Sequence, residues 1–281
     1  MIRSVDVSGG QLTFEVHSGS TEPVLAIHGV SSQRLLWSWL RRAAPEISLI
    51  VPDLRGRGDS VDVAGPSSIR QHAEDMVGVL DELGLDSAHV CGMSMGGWVA
   101  VALAALHPGR VRTLTLVDGG VPTPPPPGLT PENAVGVALA DRKARLERTF
   151  ATVEDYRDLF VSSTAPLLDP HDAVLLDYLR HDLRDGHVRL SAEALATDTA
   201  DVFFGEQHWS QVAAPTRLLV AEWSVGAGTP PACSDALLAE HASGLDEVVR
   251  VPGVDHAAII MSPAGAEAVA GVLRRSLSTA S

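Results

Sequence analysis

The chain has 281 residues, 45% hydrophobic and 20% charged, a length and balance that suit one large globular unit carrying an insertion. Its net charge of −14 and pI near 5.1 exclude a nucleic-acid partner, which would need a basic face. No run of about 18 apolar residues is present for a membrane span, and the first residues are polar and strand-like with no basic-then-apolar leader, so a cytoplasmic location is expected.

In chain order, residues 3–7 and 12–16 are strand-like and 24–27 form a short apolar strand. A helix is predicted over 34–44 and a strand over 48–51. Ser67 and Ser68 can cap the next helix, in which Ile69, Ala73, Met76, Val77 and Leu80 recur at helical spacing up to Gly84. An apolar strand over 88–91 then runs into Gly92-Met93-Ser94-Met95-Gly96 and a helix to Leu106, stopped by Pro108-Gly109. A strand over 112–117 leads to Asp118-Gly119-Gly120. Between Val121 and about Gly205 the pattern changes to a proline run (Pro122, Pro124, Pro125, Pro126, Pro127) and charged helical stretches such as 131–150 and 171–184. Prolines in series favour extended, semi-rigid backbone. A strand over 216–221, a helix over 231–242, a strand over 247–251 and a last helix over 263–275 complete an alternation that argues for an α/β fold with a mostly parallel sheet.

The segment around Ser94 reads as a strand, a sharp turn and a helix with a serine at the apex. Such an elbow holds the serine backbone in a strained conformation that only small neighbours tolerate, and Gly92, Gly96 and Gly97 are those neighbours. The strand over 24–27 ends in His28-Gly29-Val30, where a loop amide can point toward the serine. The Val30 and Met95 N–H groups are therefore the predicted oxyanion donors, and His28 is expected to shape that loop by hydrogen bonding. Arg57-Gly58-Asp59 is read as part of a tight loop after the next strand, not as an adhesion motif.

Three motifs occur in order: His28-Gly29, then Asp53-Leu54-Arg55-Gly56-Arg57-Gly58-Asp59-Ser60, then Gly92-Met93-Ser94-Met95-Gly96. In this the chain resembles the α/β-hydrolase superfamily over essentially its whole length. The resemblance implies a mostly parallel eight-stranded sheet flanked by helices, with the core in residues 1–120 and 206–281 and a helical cap inserted over 121–205. It is weakest over 121–205, as expected of a variable insertion.

A serine hydroxyl needs a neighbouring imidazole to take its proton. His256, after the last strand and before the last helix, stands where the resemblance places that base. The acid departs from the common pattern, because Ser224 occupies the place after the strand over 216–221 where the superfamily usually has an aspartate. Some members take the acid from the end of the preceding strand, which selects Asp118; Glu222 is the runner-up, and Asp255 is disfavoured because it faces differently. Asp118 ahead of two glycines could also serve as a turn former.

The expected activity is hydrolysis of a hydrophobic ester, lactone or related acyl compound by Ser94, His256 and Asp118, with no cofactor. The resemblance leaves open a cofactor-free perhydrolase, a carbon–carbon bond hydrolase, and a small-ligand-binding protein without turnover. Phe203, Phe204 and Trp209 are the candidate substrate contacts, whereas Trp98 is expected to pack. Cys91 is expected to be a small core hydrophobe, and the eleven histidines show no zinc-type cluster, so no metal is expected.

Overall fold

The computed structural model describes residues 1–278. β1 (Ile2–Val7) and β2 (Gly10–His17) form an antiparallel hairpin. They are followed by β3 (Val24–Ile27), β4 (Leu49–Pro52), β5 (Ala88–Met93) and β6 (Val111–Val117). After the helical insertion come β9 (Thr216–Trp223) and β10 (Glu247–Asp255); a small hairpin of β7 (Leu183–Arg184) and β8 (His187–Val188) lies within the insertion. The main sheet has eight strands in the order β1-β2-β4-β3-β5-β6-β9-β10, and every pairing from β4 onward is parallel.

Because strand side chains alternate sides, the near-continuous apolar runs of β3 and β4 supply both faces of the sheet. Val24, Ala26, Leu49 and Val51 enter one core, with α1 (Ser38–Ala43) and α11 (Pro263–Ser278). Leu25, Ile27 and Ile50 enter the other, with α2 (Ile69–Glu82) and α3 (Met95–Leu106). Ser68 caps α2, accepting from the Gln71 N–H at 3.0 Å.

Three elements differ from the sequence reading. The helix predicted over 34–44 opens as a 3-10 turn at Arg34–Trp37 before α1. The strand predicted to stop at 251 continues past Pro252 and Gly253 to Asp255, because a register shift between Val251 and Asp255 absorbs the proline. The stretch 131–150 divides into α4 (Ala134–Ala138) and α5 (Ala140–Leu146) at Leu139, whose φ of −136° and ψ of 38° interrupt the helix.

The insertion continues with α6 (Val153–Ser163), α7 (Ala173–Asp182) and α8 (Ala192–Phe204). It is bonded to the loop after β4: the Gly58 N–H donates to Arg189 O at 3.0 Å and the Ser191 N–H to Gly56 O at 2.8 Å. Beside this seam Arg34 Nη1 pairs with Asp53 and, at 2.7 Å, with Asp59, which also pairs with Arg189. His181 Nε2 lies 2.9 Å from the same Arg34 nitrogen. Burial, Arg34 and Arg189 push the His181 pKa down to about 4, so that ring is a neutral acceptor. The two arginines supply the positive charge this acid pair needs. α9 (Asp235–His241) and α10 (Ala258–Met261) complete the fold. Among the described residues no helix is long and apolar enough to cross a membrane.

Candidate active site

Ser94 stands between β5 and α3 with φ 54° and ψ −127°, a strained conformation for a residue with a side chain. Close backbone approach demands the glycines around it. A Cβ on Gly96 would lie 2.2 Å from Ile27 O, and one on Gly119 would lie 2.4 Å from Ser94 O. Thus β3, the elbow and the end of β6 converge on one point, and a larger residue at either position would drive them apart.

Asp118, directly after β6, has φ 48° and is nearly buried. Its Oδ1 accepts from the Ala221 N–H at 3.1 Å, while its Oδ2 lies 2.6 Å from His256 Nδ1. His256 Nε2 in turn lies 3.0 Å from Ser94 Oγ. One hydrogen-bonded line therefore joins carboxylate, imidazole and hydroxyl, a geometry in which the ring can take the serine proton while the carboxylate faces the nitrogen that becomes positive.

The other acids lie elsewhere. Glu222 Oε2 accepts from the Gly253 N–H at 2.6 Å. Asp255 spends its carboxylate on the amides of Ala258 at 2.9 Å and Gly226 at 2.8 Å. Ser224 offers His256 only its carbonyl, which accepts from the His256 N–H at 3.1 Å.

The Val30 and Met95 amides both border the cavity above Ser94, and neither donates to another group among the described residues. Gly29 brings this loop against the serine, since a Cβ there would lie 3.1 Å from Ser94 Cβ. His28 is fully buried, and its Nε2 accepts from the Leu54 N–H at 3.0 Å. That puts its proton on Nδ1, which donates to Gly29 O at 2.8 Å. Burial pushes its pKa down to about 3, so the ring stays neutral and braces the loop.

Sequence reasoning missed the role of Arg57. It is fully buried, and its Nε donates to Val30 O at 2.9 Å, fixing the peptide between Val30 and Ser31. Its Nη1 pairs with Asp198 of α8 at 2.5 Å, and His72 Nε2 meets the same carboxylate at 2.9 Å. A basic residue in a glycine-rich loop reads as solvated, so only the packing of the insertion over that loop reveals the inward turn.

Burial opposes the Asp198 charge, but Arg57 and His72 outweigh it and hold its pKa well below the usual carboxylate range. A lowered carboxylate pKa contributes stability that is fully present above the unfolded value, about 3.9, and is lost as pH falls through the folded one. Arg57→Met is expected to cost about 3–5 kcal/mol, the usual result of orphaning a buried charge. It should also flatten the acid limb of a stability-versus-pH curve measured by urea melts. An unchanged melting midpoint would refute the buried pair.

A cavity of about 420 Å³ lies over Ser94 and His256. Helix α8 lines it with Thr199, Val202 and Phe203, which share a face at i, i+3 and i+4. The next residue turns about 100° further round, so Phe204 is 39% exposed and outside the cavity. Trp209 is also outside: its ring packs 3.1 Å from the position of a Cβ on Gly244 and 5.8 Å from the His241 ring. Conversely Trp98, expected to be packing alone, lines the cavity as well. Cys91 and Cys233 are free and buried; burial pushes the Cys91 thiol up, and burial with Asp118 pushes the Cys233 thiol to about 11.

A parallel sheet with a serine elbow at the carboxyl ends of its strands, roofed by inserted helices, defines the α/β class of hydrolytic folds. A family model for the alpha/beta hydrolase fold matches residues 22–213, and the chain belongs to that family. It is 28% identical over 227 residues, 77% of each chain, to a 2-hydroxy-6-oxononadienedioate/2-hydroxy-6-oxononatrienedioate hydrolase of Cupriavidus pinatubonensis. For several other curated relatives the chain spans only about two fifths of their length. Among these is a 2-hydroxymuconate semialdehyde hydrolase of Pseudomonas sp. (strain CF600), 38% identical over 118 residues, 40% of this chain and 42% of that one. The fold is similar to that of an E-2-(acetamidomethylene)succinate hydrolase, with a TM-score of 0.79, 22% identity and 99% of both chains covered.

Proposed function

We propose that this protein is a serine hydrolase that cleaves an ester, lactone or related acyl compound through an acyl-enzyme. The observation that carries this reading is the continuous line from Asp118 through His256 to Ser94. Ser94 Oγ attacks the carbonyl carbon as His256 Nε2 takes its proton, and Asp118 holds the imidazolium at Nδ1. The Val30 and Met95 N–H groups receive the oxyanion. Collapse expels the alcohol with the proton from His256, and a water activated by the same ring then releases the acid and restores Ser94.

The core comprises residues 1–120 and 206–281, and residues 121–205 act as a cap that closes the acyl pocket, with Phe203 as an apolar wall. The names of the two curated relatives support a second reading, the hydrolysis of a 2-hydroxy-oxo-dienoate compound at this same site.

A fluorophosphonate probe with intact-mass detection tests the proposal. One adduct on the wild-type protein, mapped to Ser94 and lost on prior acylation by a slow ester, is expected. A protein that is folded and unlabelled would remove the activated serine and leave a ligand-binding role.

A further inference from the structure

The cavity over Ser94 is largely apolar, with Leu36, Met93, Phe160 and Val202 in its wall, yet α5 brings two arginines to it, Arg142 and Arg145. Spaced i, i+3, they share one face of the helix. Arg145 is 2% exposed, and the Arg142 side chain is 14% exposed.

Their donors are largely unspent. A guanidinium has five N–H donors. Arg142 makes one hydrogen bond, Nη1 to Asp141 Oδ1 at 2.7 Å, and Arg145 makes one, Nη1 to the Tyr156 hydroxyl oxygen at 3.0 Å. Both Nε atoms are buried without a partner. Arg145 lies 5.2 Å from the Phe160 ring centroid and, among the described residues, makes no ion pair with a carboxylate. Asp182 is reached through the Tyr156 hydroxyl, which donates to it. Burial pushes that carboxyl up to about 6. Burial and Arg145 together lower the pKa of Arg142. Asp141 is the single carboxylate paired directly with these two adjacent, mostly desolvated cations, so an anion in the cavity would meet their spare donors and offset the second charge.

We infer that Arg142 and Arg145 form a carboxylate subsite, so that the substrate is an acyl compound bearing its own carboxylate, such as the monoester of a dicarboxylic acid. The apolar wall holds the connecting chain, and the planar forks of the arginines bind the carboxylate while the scissile carbonyl lies at Ser94. This inference rests on the acyl-enzyme reading of the site.

The test uses p-nitrophenyl esters in two series matched in length, one ending in a methyl group and one in a carboxylate. At the chain length that spans the cavity, the wild-type protein should favour the charged ester by about tenfold or more in kcat/KM. Arg142→Met should raise KM for that ester by about 10- to 100-fold, the value of charge-assisted hydrogen bonds, and leave the neutral ester within about threefold. Arg142→Lys should recover part of the loss. Arg145→Met should act in the same direction, and if it fails to fold, Arg142→Met and inhibition of the wild-type protein by free dicarboxylates decide. Equal turnover of both series at every length, with no dicarboxylate inhibition, would overturn the subsite and leave the acyl-enzyme standing. No turnover and no fluorophosphonate labelling would instead remove the acyl-enzyme. In that case calorimetric binding of a dicarboxylate, lost in Arg142→Met, would keep the subsite, and binding unchanged in Arg142→Met would end it.

Discussion

Ser94→Ala is expected to abolish ester turnover, lowering kcat by at least about 10³-fold, while the melting temperature stays within a few degrees of the wild type. The substitution deletes one hydroxyl that faces the cavity and the His256 ring, and no buried carbon atom leaves the core. The backbone strain at φ 54° is carried by either residue, so folding should not distinguish them. Steady-state kinetics on a short ester, with circular dichroism on the same samples, checks both halves. Turnover within tenfold of wild type in a purified, folded variant would exclude an acyl-serine intermediate.

Asp118→Asn should be the second severe lesion, with kcat reduced by up to about 10⁴-fold. The amide can keep one oxygen on the Ala221 N–H and so preserve the shape, but its NH₂ toward His256 Nδ1 favours the wrong tautomer. Glu222→Gln should cost less than about threefold, since Glu222 binds the Gly253 amide on the protein's exterior. The reverse ranking, measured on one ester across pH, would move the acid to the end of β9. A rate loss accompanied by a large drop in melting temperature would point to a merely structural Asp118.

The meeting of Ser94, Asp118 and His256 was legible because backbone geometry dictates sequence there. The elbow admits only glycine at position 96, and a carboxylate at the end of β6 lies on the strand next to the serine's own. What stayed illegible depends on helix rotation and on long-range packing. The charged stretch 131–150 reads as a solvated face, and nothing local reveals that it breaks at Leu139 and sets Arg142 and Arg145 against the cavity. Phe203 and Phe204 are adjacent and chemically identical, so only the register of α8 separates them. The same limit hid Trp98, which both packs on the sheet and borders the cavity.

The carboxylate that meets His256 comes from the end of β6, so the loop after β9 is released from that duty. Its tie to His256 is a backbone carbonyl, that of Ser224, which accepts from the His256 main-chain N–H and which any residue could supply, while Ser224, Val225 and Ala232 border the cavity. Such a segment can drift in sequence or be exchanged in the laboratory without disturbing the hydrogen-bonded line from Asp118 through His256 to Ser94. It offers directed evolution a place to reshape substrate preference one loop at a time.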